Sequence, residues 1–323
     1  MAVCRNKEGL VIMETVLKTQ GLTKYFGRRC VVDNISLETY AGEVFGFLGP
    51  NGAGKTTAIK MILGLLTRDA GDIYINNIDM RKNFEGAMDN IGGIVENPEM
   101  YNYLTGLQNL RQYQRIRNGV TNERVAEVIN LVKLENRINE KVKRYSLGMK
   151  QRLGIAQAIL HRPRLLILDE PTNGLDPAGI RELRDMLKDL AHKENVGVFV
   201  SSHMLSEMQL MCDRVGIISN GKLLDVKSAS ELSSNGDELV FRFTVTPVAQ
   251  AAEILTGMPD FGASIVHQAP QYIDIKMADI SHVNAITLQL INNNITLLGI
   301  ARQERTLEDA FIEITREGGG QIA

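Results

Sequence analysis

The chain has 323 residues, 44% of them hydrophobic and 23% charged, with a net charge of −2. These proportions are ordinary for a soluble globular protein, and the length suffices for one large domain with a smaller one. The near-neutral balance leaves no footprint for nucleic acid or an anionic membrane surface as the main partner. Cys4, Cys30 and Cys212 lie far apart, without a CxxC pair or metal-ligand spacing, which suits reduced thiols in a cytoplasmic protein. No apolar run approaches the roughly 18–20 residues that span a bilayer, and the N-terminus lacks the apolar core of a signal peptide. The expectation is a soluble intracellular chain. In a membrane process, another chain would have to supply the membrane part.

Residues 1 to 12 are hard to place, and Met13 begins a segment that reads more naturally as a domain start. Val16 to Thr19 and Val31 to Leu37 read as short strands, separated by the segment from Leu22 to Gly27 and the basic pair Arg28 and Arg29. Val44 to Leu48 is an apolar run of strand formers. Directly after it, Gly49, Pro50, Asn51, Gly52, Ala53, Gly54, Lys55 and Thr56 spell G-x-x-x-x-G-K-T. From Thr57 to Leu66 a helix follows, with Ile59, Ile62, Leu63 and Leu66 on one face.

Strand, glycine loop and helix start form the context in which such a loop binds a nucleotide. The glycines let backbone N–H groups turn inward onto phosphate oxygens, and the helix start adds partial positive charge. Lys55 can reach the β- and γ-phosphates, and the Thr56 hydroxyl can ligate Mg²⁺. Asp72 to Asn76 alternates like another strand, so a small antiparallel sheet is expected beside the core. Ile91 to Val95 is a further strand, ending at Glu96.

From about Leu104 the pattern turns helical. Thr105 to Arg117, Asn122 to Leu134 and Gly148 to Leu160 have helical spacing, as a helical subdomain (about 100–162) inserted in an α/β core. Leu165 to Leu168 is an unbroken apolar strand, typical of a sheet covered on both faces, and it ends at Asp169 and Glu170. An acidic residue at such a strand end can hold Mg²⁺, and Asp169 is placed for that. Glu170 is the better candidate for polarising an attacking water. Ile180, Leu183, Leu187 and Leu190 mark an amphipathic helix, and Val196 to Ser201 and Val215 to Ser219 two more buried strands. Strands alternating with helices imply a mainly parallel α/β core.

The texture changes after Lys222, and the serine-rich stretch from Ser228 to Asp237 reads as a boundary. Leu239, Phe241, Phe243 and Val245 form one face of a strand, and Ala249 to Leu255 is helical. Ile273, Ile275 and Met277 belong to another strand, Val283 to Ile291 to a helix, and Leu297 to Ala301 to a strand. Thr306 to Arg316 reads as a last helix, with Thr306 and Asp309 at capping-box spacing. The expected organisation is therefore an extension (1–13), a nucleotide-binding domain (14–227) and a small α+β domain (228–323).

One further set of residues is specific in its order. Tyr145, Ser146, Leu147, Gly148, Met149, Lys150 and Gln151 precede the strand that ends in Asp169 and Glu170. Asn173, Gly174, Leu175 and Asp176 follow, and His203 comes after the next apolar strand. Together with the phosphate loop, this set resembles the ATP-binding subunit of an ABC transporter across roughly Glu14 to Lys227.

The resemblance implies that Ser146 and Gly148 belong to the signature that contacts the γ-phosphate of ATP bound to an opposing subunit. It implies that Asp176 communicates across that dimer and that His203 contacts the γ-phosphate. Phe26 is then the aromatic that stacks on adenine, with Tyr25 as the neighbouring alternative. Glu96 stands where the family has a glutamine whose carbonyl reaches Mg²⁺, and Leu147 replaces a signature glycine. The Glu96 variant and the form of the signature are similar to subunits of the bacitracin- and lantibiotic-resistance branch. The segment from Thr306 to Phe311 resembles the terminal helix of the wider exporter group.

The implied function is ATP hydrolysis by a head-to-tail homodimer that drives a separate permease. The catalytic set is Lys55, Glu170 and His203, the nucleotide contacts run from Gly49 to Thr57, and Thr56, Asp169 and Glu96 hold Mg²⁺. Two other classes compete. One is an ABC-type ATPase acting on ribosomes or DNA, for which fused cassettes or long coiled-coil insertions are lacking. The other is an ATP-regulated binding module that does not turn ATP over.

Overall fold

The computed structural model describes residues 2–6, 9–228, 231, 239–256, 264–277 and 279–303. The chain divides into two compact units, the first running from the N-terminus to Ala229. The helix expected over Thr306 to Arg316 lies outside the described residues.

Within the first unit, β1 (Ala2–Asn6) and β2 (Gly9–Met13) pair as an antiparallel hairpin, in the stretch that sequence alone leaves unplaced. Two long strands, β3 (Thr15–Phe26) and β4 (Arg29–Tyr40), then pair with each other. With β6 (Ala70–Ile75) and β7 (Ile78–Asp79) they make an antiparallel sheet of order β4-β3-β6-β7. The expectation of a connector between Leu22 and Gly27 needs correction. Leu22 is fully buried, register shifts at Thr19/Leu22 absorb the irregular residues, and the strand runs on until Phe26 pairs with Arg29. Gly27, at φ +60°, turns the chain there.

The central sheet has the order β12-β11-β5-β10-β9-β8. It consists of β5 (Val44–Leu48), β8 (Ile91–Ile94), β9 (Leu165–Asp169), β10 (Gly197–Ser202), β11 (Arg214–Ser219) and β12 (Lys222–Ser228). All pairs are parallel except β11 with β12. Every residue of β5, β9 and β10 is buried, which accounts for their unbroken apolar sequences. Phe45 and Phe199 stack across β5 and β10 with centroids 5.5 Å apart. One apolar core joins Leu17, Leu22, Val32 and Ile35 of the antiparallel sheet to Phe47, Ile167 and Phe199 of the central one, and takes in Ile59 and Ile62. Strand β12 escaped the sequence reading because its mixed residues are only half-buried at the sheet edge.

Among the described residues, seven α-helices complete this unit. They are α1 (Lys55–Ile62), α2 (Phe84–Met88), α3 (Gly106–Ile116), α4 (Asn122–Leu131), α5 (Leu147–Ile159), α6 (Pro177–His192) and α7 (Leu205–Met211). Helices α3, α4 and α5 start at hydroxyl caps. Thr105 forms a capping box with Gln108, Thr121 accepts from the Arg124 N–H, and Ser146 accepts from the Met149 N–H. Buried Val125, Val128 and Ile129 on α4 confirm the helical spacing read there.

The second unit contains β13 (Leu239–Thr246), α8 (Val248–Thr256), β14 (Ser264–Gln268), β15 (Tyr272–Met277), α9 (His282–Asn292) and β16 (Thr296–Gln303). The sheet is antiparallel in the order β14-β15-β13-β16, the ferredoxin-like βαββαβ arrangement. Phe241, Phe243, Val245, Ile273, Ile275 and Met277 bury one sheet face against Ala251, Leu255, Ile286 and Leu290 of the helices. The edge strand β14 was not foreseen, because it is exposed and lacks an apolar period. Among the described residues, no helix is long and apolar enough to cross a membrane.

Candidate functional site

Strands β5, β9 and β10 lie side by side and parallel, so their carboxyl ends share one edge of the sheet. Leu48 pairs with Ser202, and Ser201 with Asp169. Whatever follows each strand is thereby brought to the same place: the glycine loop, Glu170 and His203. Open parallel sheets bind ligands at this edge.

The loop from Gly49 to Gly54 leads into α1, which starts at Lys55 rather than at Thr57. Gly54 sits at φ +105°, and a Cβ there would stand 2.6 Å from the Val31 carbonyl oxygen. Only glycine allows that approach of loop and β4. The loop is also held by Gly221, whose N–H donates to the Ala53 carbonyl at 2.9 Å. Thr56 and Thr57 lie half-buried in the first turn of α1.

Lys55 is buried and already engaged. Its ammonium donates to the Gly49 carbonyl at 2.7 Å and the Pro50 carbonyl at 3.3 Å. It also pairs with Glu170 Oε1 at 3.2 Å, while Glu170 Oε2 lies 2.8 Å from His203 Nδ1. The Glu170 carboxylate therefore bridges the phosphate-loop lysine and the histidine after β10. Glu170 has φ +49°, uncommon for a residue with a side chain, which turns it out of the strand line.

Ser201 was not singled out from the sequence, yet it holds both acidic residues. Its fully buried hydroxyl donates to Asp169 Oδ1 at 2.6 Å and accepts from the Glu170 N–H at 3.0 Å. The available signal was a serine pair, Ser201 and Ser202, closing an otherwise apolar strand just before His203. Gly221 carried a signal too, as the second residue of the Asn220-Gly221 turn joining β11 to β12.

Asp169 is buried at the end of β9, and Thr56 supplies a hydroxyl at the start of α1. Carboxylate and hydroxyl oxygens are the donors a hard divalent cation prefers, so these residues suit Mg²⁺. Glu96 lies elsewhere. Its carboxylate is 71% exposed and pairs with Lys60 of α1 at 3.3 Å. Among the described residues, no hydrogen bond or ion pair joins it to Thr56, Asp169 or Glu170.

Ser146, Gly148 and Asp176 meet in a different cleft of about 360 Å³, lined also by Leu147, Gly174 and Leu175. Ser146 caps α5, and Asp176 caps α6 by accepting the Gly179 N–H at 2.9 Å. Leu147 is partly exposed beside Gly174. Among the described residues, no hydrogen bond or ion pair links this cleft to Lys55, Glu170 or His203. Phe26 ends β3 and is 52% exposed, and Tyr25 is exposed beside it.

The ABC transporter family model matches residues 32–173. An uncharacterized ABC transporter ATP-binding protein, YhcH of Bacillus subtilis, is 45% identical over 94% of this chain and 97% of its own length. The chain belongs to the ATP-binding proteins of ABC transporters. It is an ATPase of that family, on a P-loop α/β core with a small antiparallel sheet, inserted helices and a C-terminal α+β unit. The bacitracin transport ATP-binding protein BcrA of Enterococcus faecalis is 39% identical over 97% of this chain and all of its own. Among solved structures, a dimeric bacterial ABC transporter cassette, MJ0796, is 25% identical. It covers 66% of this chain and 98% of its own, with a TM-score of 0.59.

Proposed function

We propose that the protein powers a separate membrane permease from the cytoplasmic face of the membrane, as a homodimer that closes on ATP. Each ATP lies between the phosphate loop of one subunit and the Ser146–Gly148 signature of the other. The observation that carries this reading is the separation of two half-sites within one chain. Lys55, Glu170 and His203 are joined through one carboxylate, while Ser146, Gly148 and Asp176 line a cleft that, among the described residues, has no bond to them. A head-to-tail pair related by a two-fold axis completes two such sites at once.

In this site Gly49, Pro50, Asn51, Gly52, Ala53, Gly54, Thr56 and Thr57 wrap the phosphates, and Lys55 leaves its carbonyl partners for the β- and γ-phosphates. Glu170 accepts the proton of the attacking water, and His203 contacts the γ-phosphate. Thr56 and Asp169 would hold Mg²⁺, which when bound neutralises phosphate charge, and Glu96 would exchange Lys60 for the metal. Phe26 stacks on adenine, with Tyr25 as its neighbour. Asp176 passes the state of one site to the other. The proposed domains are 14–227 for ATP and 228–323 as an accessory unit. The identity to BcrA supports export of a peptide antibiotic or a similar amphiphile.

The test is Glu170→Gln. This variant keeps the shape of the site and removes the proton acceptor, so it should bind ATP, turn it over slowly and elute as a dimer from size-exclusion chromatography in ATP. A monomer in saturating ATP, with ATP bound, rejects the dimeric site. Retained turnover rejects the role of Glu170.

A further inference from the structure

We propose that Asp69 is a positioning residue for the nucleobase site, clamping the end of β3 so that Phe26 presents its ring to the base. This rests on the reading of Phe26 as the residue that stacks on adenine. Asp69 lies in the segment between α1 and β6 and grips three successive residues of β3. Its N–H donates to the Thr23 carbonyl at 3.0 Å. Its carboxylate accepts from Lys24 Nζ at 3.1 Å and from the Tyr25 N–H at 2.6 Å.

Lys24 is in turn buried, only 7% exposed, and its ammonium stands 5.7 Å from the Phe26 ring centroid. A cation at that distance is within the range of attraction to an aromatic face.

Two features make such a clamp necessary. The β3–β4 ladder is irregular here, with register shifts at Leu22/Lys24 and at Lys24/Tyr25, so strand pairing alone holds this end weakly. Phe26 is half exposed and has little core around it to fix its rotamer. An exposed stacking ring binds better when the backbone before it is already ordered, because less freedom is lost on binding. The Tyr25 N–H, and after it the Lys24 ammonium, hold the Asp69 carboxyl below its ordinary range, so the clamp is anionic at neutral pH. The segment that leaves the phosphate-loop helix thus also sets the base site.

The test combines binding of radiolabelled ATP by equilibrium dialysis with steady-state kinetics on Asp69→Ala, Asp69→Asn, Phe26→Ala and the Phe26→Ala/Asp69→Ala double variant. Asp69→Ala should raise Kd and KM for ATP about fivefold and change kcat less than about twofold, since uniform binding is lost. Asp69→Asn, which still accepts the Tyr25 N–H, should raise both about twofold and keeps the test open if the alanine variant does not fold. In the Phe26→Ala background, Asp69→Ala should add nothing, because no ring is left to position. Wild-type affinity in both Asp69 variants overturns the proposal. So does an equal loss with and without Phe26, which would mark Asp69 as a fold-stabilising residue. Unchanged affinity in Phe26→Ala overturns the reading of Phe26 and the proposal with it, a result separate from the other two.

Discussion

In the central sheet β5, β9 and β10 run in one direction, so Leu48, Asp169 and Ser202 finish at the same edge. In the sheet of the second unit β13, β15 and β16 alternate in direction, and their ends divide between two edges. Both sheets bury phenylalanine and isoleucine on their strands, yet only the first gathers Lys55, Asp169, Glu170, Ser201 and His203. The strongest polar arrangement described in the second unit is mid-strand. Arg242 forks onto Asp274 with bonds of 2.8 and 3.0 Å and stacks over Tyr272 at 3.7 Å. Parallel strands stack their loops at one edge; here the antiparallel register sets Arg242 opposite Asp274, where the pair locks the sheet.

Mutations that separate the two regions sharpen the contrast. The largest effect is expected from Lys55→Ala. It removes the cation proposed to face the phosphates, and ATPase activity should fall by about 100-fold or more. A phosphate-release assay checks it, and turnover near wild type would remove Lys55 from the site. Next comes Ser201→Ala, which unpins Asp169 and leaves the Glu170 N–H with only the Ser201 carbonyl. A lost bond to a buried carboxylate is worth ~1.5–3 kcal/mol, so kcat should drop about ten- to 100-fold with KM for ATP little changed. Ser201→Thr, which keeps the hydroxyl, should recover most of that rate.

Glu96→Gln should act more weakly. The neutral amide binds a cation less strongly than a carboxylate, so the Mg²⁺ concentration for half-maximal rate should rise about threefold. Superimposable Mg²⁺ titrations would leave Glu96 as the exposed partner of Lys60 and nothing more. The smallest effect on catalysis is expected in the second unit. Arg242→Ala strands the nearly buried Asp274 carboxylate and should cost ~1–3 kcal/mol of stability there, with basal ATPase activity within about twofold of wild type. Differential scanning calorimetry beside the same phosphate-release assay reads both. A tenfold loss of rate would mean that the second unit acts on the first.

The glycine loop, the apolar strands β5 and β9 and the helices α3, α4 and α5 were legible in the sequence. Each is written in consecutive residues, where turn chemistry, unbroken hydrophobicity or a 3.6-residue period acts within one element. The run of β3 through Leu22 to Phe26 was not legible, since tertiary burial of Leu22 and a bulged ladder override its connector-like residues. Nor were the edge strands β12 and β14, whose residues are mostly half-buried or exposed and so spell neither an apolar run nor a clean alternation.

At the site, residue types were readable but their alliances were not. Glu170 meets Lys55 and His203 across long stretches of chain, Ser201 reaches back to Asp169, and Asp69 reaches back to Tyr25. Glu96 pairs with Lys60, although its place in the chain points to the metal. The sequence by itself determined which chemistry is present, because backbone preference and hydrophobic period are local. Only the tertiary structure decided which oxygen faces which proton, because parallel strand ends become neighbours only when the whole sheet assembles.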